Sequence, residues 1–267
     1  WTLRPLPPPP RWSPRANARR HGIGGRRLRA YASEEAHSSV VKAAISCGIG
    51  EEGVRRIGTD DAFRMDSEAL RAAIEEDVAA GRTPFFAVAT VGTTSTTSVD
   101  PVAEIVAVCR PRSIWTHVDA AYAGMAAIAD EYRWALAGCE GADSLVVNPH
   151  KWLFTPIDCS AFYVRDSAAL RAAFSLVPEY LRTEDRDVTD YMDWGLQLGR
   201  RFRALKLWMV IRRFGRAGLA ARIREHIRLA HVFAARVEAD RRFELMAPAP
   251  FSTVCFRYRA PGMSPGM

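Results

Sequence analysis

The chain has 267 residues, 48% of them hydrophobic, and a formal net charge of +7, enough apolar material for one large domain or a domain and a half. The charge is confined: residues 1–30 carry eight arginines and no acid, and the rest of the chain holds 29 basic and 30 acidic residues. A broad basic nucleic-acid surface is therefore not expected. Neither is a membrane partner, because no apolar run reaches spanning length and no signal-peptide core is present.

The five cysteines (Cys47, Cys109, Cys139, Cys159 and Cys255) are odd in number and form no C-x-x-C pair. That argues against a disulfide framework or a zinc site and fits a reducing, cytoplasmic setting. His226 and His231 are five apart, the wrong helical spacing for a shared metal, and no metal is expected. The GIGG of residues 22–25 lacks the third glycine of a dinucleotide fingerprint, Arg27 standing in its place.

In chain order, residues 1–27 are rich in proline and arginine without periodicity, and a disordered basic arm is expected there. Because the chain opens on Trp1 rather than methionine, it is expected to be a fragment. From residue 28 strands and helices alternate. LRAYAS (28–33) reads as a strand, followed by a helix capped by Ser38 or Ser39 and running to about Cys47. VRRIG (54–58) is a weak strand, and Asp66 or Ser67 caps a helix that Gly81 follows. PFFAVATV (84–91) leads into GTTSTTS, and Asp100-Pro101 reads as a cap with proline at the first helical position. SIWTHVD (113–119), DSLVVN (143–148) and SAFYVR (160–165) are further strands. Beyond residue 200, two amphipathic helices, about 201–214 and 216–239, split at Gly215 and precede strands near 243–246 and 251–259. The pattern predicts an α/β fold with a mostly parallel sheet covered on both faces, spanning residues 28–200. Residues 201–267 are expected to begin a smaller α+β domain.

The chemistry gathers at strand ends. In DSLVVNPHKWLF (143–154) an apolar strand ends in Asn148, Pro149, His150 and Lys151, in a chain whose 37 basic residues include three lysines, Lys42, Lys151 and Lys206. Arginine cannot give up its proton, whereas a partly desolvated lysine can, and is then a nucleophile. Asp119 ends another strand, where a buried acid needs a cationic partner to stay charged. The small residues Ala120, Ala121, Ala123 and Gly124 leave room beside it. A lysine and an aspartate on neighbouring strand ends match the needs of pyridoxal phosphate: the lysine forms a Schiff base with the cofactor aldehyde, and the aspartate keeps the pyridine nitrogen protonated. Taken singly, each residue has an ordinary structural alternative. Lys151 could snorkel at the surface, Asp119 could cap a helix or make a structural ion pair, and Asn148 and Ser144 could close strand ends. His37 could be a helix-entry residue and Tyr180 an exposed loop aromatic.

The segments YASEEAHSSV, VATVGTTSTTSVD, IWTHVDAAYAG, ADSLVVNPHKWLF and LGRRFRALKLW together resemble the aromatic-L-amino-acid decarboxylases, pyridoxal-phosphate enzymes of the group that includes glutamate and histidine decarboxylases. The resemblance covers residues 28 to about 259 and implies a sheet of the pyridoxal-phosphate transferase type. It implies that Lys151 binds the cofactor, that Asp119 holds the pyridine nitrogen, and that Ala121 and His37 lie on the two ring faces. His37 would also lie near the substrate carboxylate. Thr94 and Asn148 would contact the cofactor, Asn148 at its phosphate, with Ser144 and His150 as neighbours of that phosphate.

Tyr180, 29 residues past Lys151 in a charged loop expected to be mobile, would donate a proton. In this family tyrosine there goes with amine formation and phenylalanine with aldehyde formation. Gly199 falls where family members vary with ring size, and glycine leaves room for an indole. That leans toward tryptophan-like substrates, with tyrosine-like ones admitted. The resemblance also implies a homodimer and a longer chain at both ends, only about the middle half being present. The alternatives are an aldehyde synthase or a histidine or glutamate decarboxylase of the same fold, and an inactive remnant or interaction module.

Overall fold

The computed structural model describes residues 22–176 and 189–260. The expected arm lies, up to residue 21, outside the described residues, and so does Tyr180. Strand β1 is Leu28–Ser33, β2 Val54–Ile57, β3 Thr83–Thr90, β4 Trp115–Asp119, β5 Ser144–Val147 and β6 Ala161–Val164. They form one sheet in the order β2-β1-β3-β4-β5-β6. Every neighbouring pair is parallel except β5 with β6, which is antiparallel. The mostly parallel α/β sheet read from the sequence is what the chain forms.

The connecting helices are α1 (Ser39–Ser46), α2 (Ser67–Ala79), α3 (Val102–Cys109), α4 (Pro149–Trp152) and α5 (Ser167–Phe174). Asp66 caps α2 by accepting the N–H groups of Glu68 and Ala69, satisfying donors that a helix start leaves open. The cap expected at Asp100 is a correction. Pro101 occupies the cap position of α3, and the carboxylate of Asp100 turns away from that helix. Its Oδ1 accepts the Met65 N–H and its Oδ2 the Thr90 N–H, each at 2.7 Å. Local sequence pointed to the helix, but two backbone donors from other segments hold the acid inside instead.

The expected helix pair after residue 200 is present, its two arms together labelled α6 (Arg203–Ala239) and separated at Gly215, whose φ of 62° and ψ of 172° are not helical. That backbone region is open to glycine and strained for other residues. The arm after the break, residues 216–239, buries Leu219, Ile223 and Ile227. Ile223, Ile227 and Phe251 share one apolar cluster with Tyr31, Leu70, Ile105 and Val118 of the sheet and its helices. β7 (Phe243–Leu245) and β8 (Phe256–Tyr258) follow as an antiparallel pair.

At the amino ends of the parallel strands, α2 places Asp77 at 4% exposure. Arg29, Arg55 and Arg82 approach its carboxylate, each at 3.4 Å, and the Tyr31 hydroxyl donates to it at 3.1 Å. Burial, then the charge of Asp77, raises the Tyr31 phenol above its ordinary range. This acid is surrounded.

Candidate active site

The sheet order places β2 on one side of β1 and β3 on the other. The chain's direction of travel across the sheet reverses there, and ligand crevices of open parallel sheets form outside the carboxyl ends at such points. A cleft of about 160 Å³ lies at that end. The segment after β1 contributes His37, the turn after β3 contributes Thr93, Thr94 and Thr97, β4 and its extension contribute Asp119 and Ala121, and α4 contributes Lys151. Thr90, Tyr122 and Thr253 complete the lining.

Each position has a local cause. Gly92 opens the turn after β3 with φ 85°, and a Cβ there would meet the Cβ of Ala123 at 2.5 Å. The turn 92–98 closes on itself, Gly92 and Thr93 donating N–H bonds to Ser98 O. Ser98 Oγ donates to Phe63 O at 2.6 Å. Asp100 lies just past the turn, and burial pushes its carboxyl up to about 6. His37 Nδ1 accepts the Ser39 N–H at 3.1 Å, so the ring itself covers the start of α1. Asp119 accepts the Ala121 N–H at 3.0 Å and has no ion pair among the described residues. The cationic partner expected beside it is not supplied by any described residue. Lys151 makes no ion pair among the described residues either, and it follows Asn148 in a turn closed by its own N–H to Asn148 O at 2.8 Å.

Of the residues predicted from sequence, Lys151, Asp119, His37, Thr94 and Ala121 line one cleft, and Asn148, His150, Ser144 and Gly199 do not. Asn148 donates its N–H to Ala121 O, and its Oδ1 is buried without a partner. His150 Nδ1 lies 2.6 Å from Cys159 O and 3.1 Å from Cys159 N. Ser144 sits at the amino end of β5, where its Oγ accepts from Trp115 Nε1 at 2.8 Å and meets His117 Nδ1 at 2.9 Å. That hydroxyl is committed to the side chains of β4. Burial lowers the affinity of the His117 ring for a proton. Gly199 is exposed, and a side chain there would meet nothing within 4 Å.

Ala123 and Gly124 are small for a reason other than ligand room. A Cβ at Gly124 would meet Val147 Cγ1 at 2.7 Å, so close packing against β5 sets the size there. Only Ala121 of the four small residues faces the cleft. Sequence reasoning missed Thr90, Gly92, Thr93, Thr97, Tyr122 and Thr253. The hydroxyl-rich run GTTSTTS was a usable signal for the threonines, and nothing local marks Thr253.

The cleft fits a polar, aldehyde-bearing ring compound. An amine and a carboxylate, neither in an ion pair among the described residues, face it from neighbouring strand ends. The hydroxyls of Thr90 and Thr97 are buried with no protein partner, an arrangement that a bound polar ligand completes. A larger cleft, of about 380 Å³, lies against the turn 92–98 near Trp134 and Pro248. Its cation, Arg64, is paired with Asp60 at 2.7 Å, and it offers no nucleophile.

The family model for the pyridoxal-dependent decarboxylase conserved domain matches residues 11–259. The chain is 49% identical over 236 residues to the aromatic-L-amino-acid decarboxylase of Bos taurus, covering 87% of this chain and 48% of that protein. A solved structure of Oryza sativa TDC with PLP and tryptamine superposes with a TM-score of 0.86 at 42% identity, over 92% of this chain and 52% of that one. The Rhodiola rosea 4-hydroxyphenylacetaldehyde synthase does so with a TM-score of 0.83 at 36% identity, over 93% and 52%. The chain thus spans about half the length of the relatives it matches. A lysine and an aspartate, neither in an ion pair among the described residues, at the carboxyl edge of this sheet, together with a family match over nearly the whole chain, make it a member of the pyridoxal-dependent decarboxylases, with pyridoxal 5'-phosphate as its cofactor.

Proposed function

We propose that the whole protein removes carbon dioxide from an aromatic L-amino acid and releases the corresponding amine. The observation that carries this reading is that Lys151 and Asp119 line one cleft, neither in an ion pair among the described residues. When bound, the cofactor supplies an electron-withdrawing ring that takes up the pair left on the substrate Cα as the Cα–carboxylate bond breaks.

The chain's own groups do the rest. Lys151 Nζ is the amine that holds the cofactor. Asp119, fixed by the Ala121 N–H, keeps a proton on the ring nitrogen, because a carboxylate beside it favours the charged ring. Ala121 and His37 bound the ring's two faces. Thr94 serves the cofactor's polar edge, joined by the orphaned hydroxyls of Thr90 and Thr97; a role for Asn148 and His150 at the phosphate rests on the family resemblance, neither of them lining the cleft. Ser144 acts at one remove, holding Trp115 and His117. Tyr180 returns a proton to Cα. This role rests on the family resemblance, as does the assignment of a homodimer. Five free cysteines support a cytoplasmic setting. The lean of Gly199 toward an indole-bearing substrate, with phenols admitted, rests on the family resemblance alone, since Gly199 does not line the cleft.

The similarity to an aldehyde synthase favours a second reading, in which the same loss of carbon dioxide ends in oxidation by dioxygen to aldehyde, ammonia and peroxide. Tyr180 supports the amine, since phenylalanine would keep the packing and remove only the acidic hydroxyl. The test is product analysis with peroxide detection on wild type and Tyr180→Phe. Amine from wild type and a shift to aldehyde and peroxide in the variant are expected. Mostly aldehyde from wild type would overturn the amine reading.

A further inference from the structure

Lys151 sits on α4, a helix of four residues. One turn cannot fix its own orientation, because helix nucleation is unfavourable at that length. Its two neighbours in sequence are each tied to another part of the chain. His150 meets the Cys159 backbone. Trp152, 4% exposed, donates its indole N–H to His226 Nδ1 at 3.2 Å, across 74 positions of sequence.

The chemistry of that bond fixes the state of the histidine. Indole nitrogen only donates, so Nδ1 must be the acceptor and the ring proton resides on Nε2. An imidazolium would set one N–H against another. His226 is held in turn. Its neighbours Ile223 and Ile227 are 0% and 1% exposed, and Phe154 packs edge-on against its ring at 5.6 Å. The other face of Trp152 is also defined. Tyr122, a lining residue of the cleft, stacks on it at 4.8 Å with the planes 10° apart. Phe251 meets it edge-on at 6.0 Å.

We infer that His226 is a positioning residue for Lys151, its neutral ring anchoring Trp152 so that α4 keeps the lysine amine in the cleft. The inference rests on the reading of Lys151 as the cofactor lysine. His226 is not among the residues lining the cleft. The acceptor at Nδ1 does the positioning, and the ring's bulk is secondary.

The test compares His226→Asn, which keeps an acceptor near the Nδ1 position, with His226→Phe, which keeps a ring and removes the acceptor, in the whole protein. Two quantities are read. One is the rate of cofactor release. The other is the rate at which acetic anhydride labels Lys151 in cofactor-free protein, with Lys42 and Lys206, the other two lysines of these 267 residues, as internal references. Loss of this part-buried hydrogen bond predicts cofactor release faster by up to roughly tenfold for the phenylalanine variant. Its Lys151 labelling relative to Lys42 should change severalfold, and the asparagine variant should restore both readings toward wild type. Wild-type behaviour in His226→Phe, or equal impairment of both variants in step with their melting temperatures, would overturn the inference. Borohydride reduction of wild type followed by peptide mapping keeps the two claims apart. An adduct elsewhere than Lys151 defeats the underlying reading, whereas an adduct on Lys151 with unaltered variants defeats only the role of His226.

Discussion

The two ends of the parallel sheet treat aspartate in opposite ways. At the amino ends, Asp77 is surrounded by three arginines and a tyrosine hydroxyl. At the carboxyl ends, Asp119 keeps one backbone N–H and Lys151 faces the same cleft without an ion pair among the described residues. A charge that serves stability is neutralised by the protein, and one that serves chemistry is left for the ligand to neutralise. The contrast lies between two sites on one rigid scaffold, so substitutions at each end can be compared directly.

The largest effect is expected at Lys151. Lys151→Ala should lower turnover on the order of 10⁴-fold or more, as loss of a covalent group does, while leaving the melting temperature of the cofactor-free protein near wild type. Reduction of wild-type holoenzyme with borohydride should place the adduct on Lys151. An adduct on Lys42 or Lys206 would end the assignment. Asp119→Asn comes next. It should retain covalently held cofactor and lose turnover on the order of 10²–10³-fold, as removal of a preorganised charge does. Near-normal turnover would take Asp119 out of the chemistry.

The opposite end should show the reverse. Asp77→Asn leaves the buried Arg29 guanidinium and the half-buried Arg55 and Arg82 without their acid, and about 3 kcal/mol of unfolding free energy should be lost in urea titrations. Cofactor binding by the folded fraction should be unchanged. Weakened cofactor affinity at full stability would erase the distinction between the ends.

Asp100 sharpens the comparison, because it is buried at the site's end yet bonded only to backbone. Its folded pKa of about 6 lies above the ordinary 3.8, so folding favours its protonated form. The stability tied to that preference is fully present below about pH 4 and lost as pH rises through 6, a span of about 3 kcal/mol. Asp100→Asn has no such titration. Its unfolding free energy, measured relative to wild type, should therefore rise by about that amount between about pH 4 and 7. A difference that stays flat with pH would show that Asp100 does not titrate in this range. The variant should also hold cofactor less tightly, since an amide offers one acceptor where Met65 and Thr90 need two.

The strands and most of the helices were legible because each follows from its own few residues. Apolar runs bounded by turns gave the strands, Asp66 gave the start of α2, and Gly215 gave the break in α6. The lysine at the end of β5 and the aspartate at the end of β4 were legible for the same reason, as residues out of place in apolar strands. Where the reading failed, the deciding partner was remote. Asp100 looked like a cap until Met65, 35 positions away, was known to donate to it. Gly124 looked like room for a ring, but Val147 fills that space. Ser144 looked like part of a phosphate site, and Trp115 and His117 occupy its hydroxyl. Trp152 gave no sign of His226.

The contact between Tyr122 and the segment at Thr253 has a consequence for how the protein is made. The Tyr122 hydroxyl meets Ser252 Oγ at 2.5 Å across 130 positions, and Thr253 is part of the cleft wall. On the ribosome, the strand ends carrying Asp119 and Lys151 emerge well before that wall. At synthesis rates of roughly 5–20 residues per second, the interval is about 5–20 s. Throughout it the nascent chain displays its reactive amine on an unfinished surface. Firm cofactor capture must then be a late event in biogenesis, and a chain stalled before residue 253 would present Lys151 to any passing aldehyde.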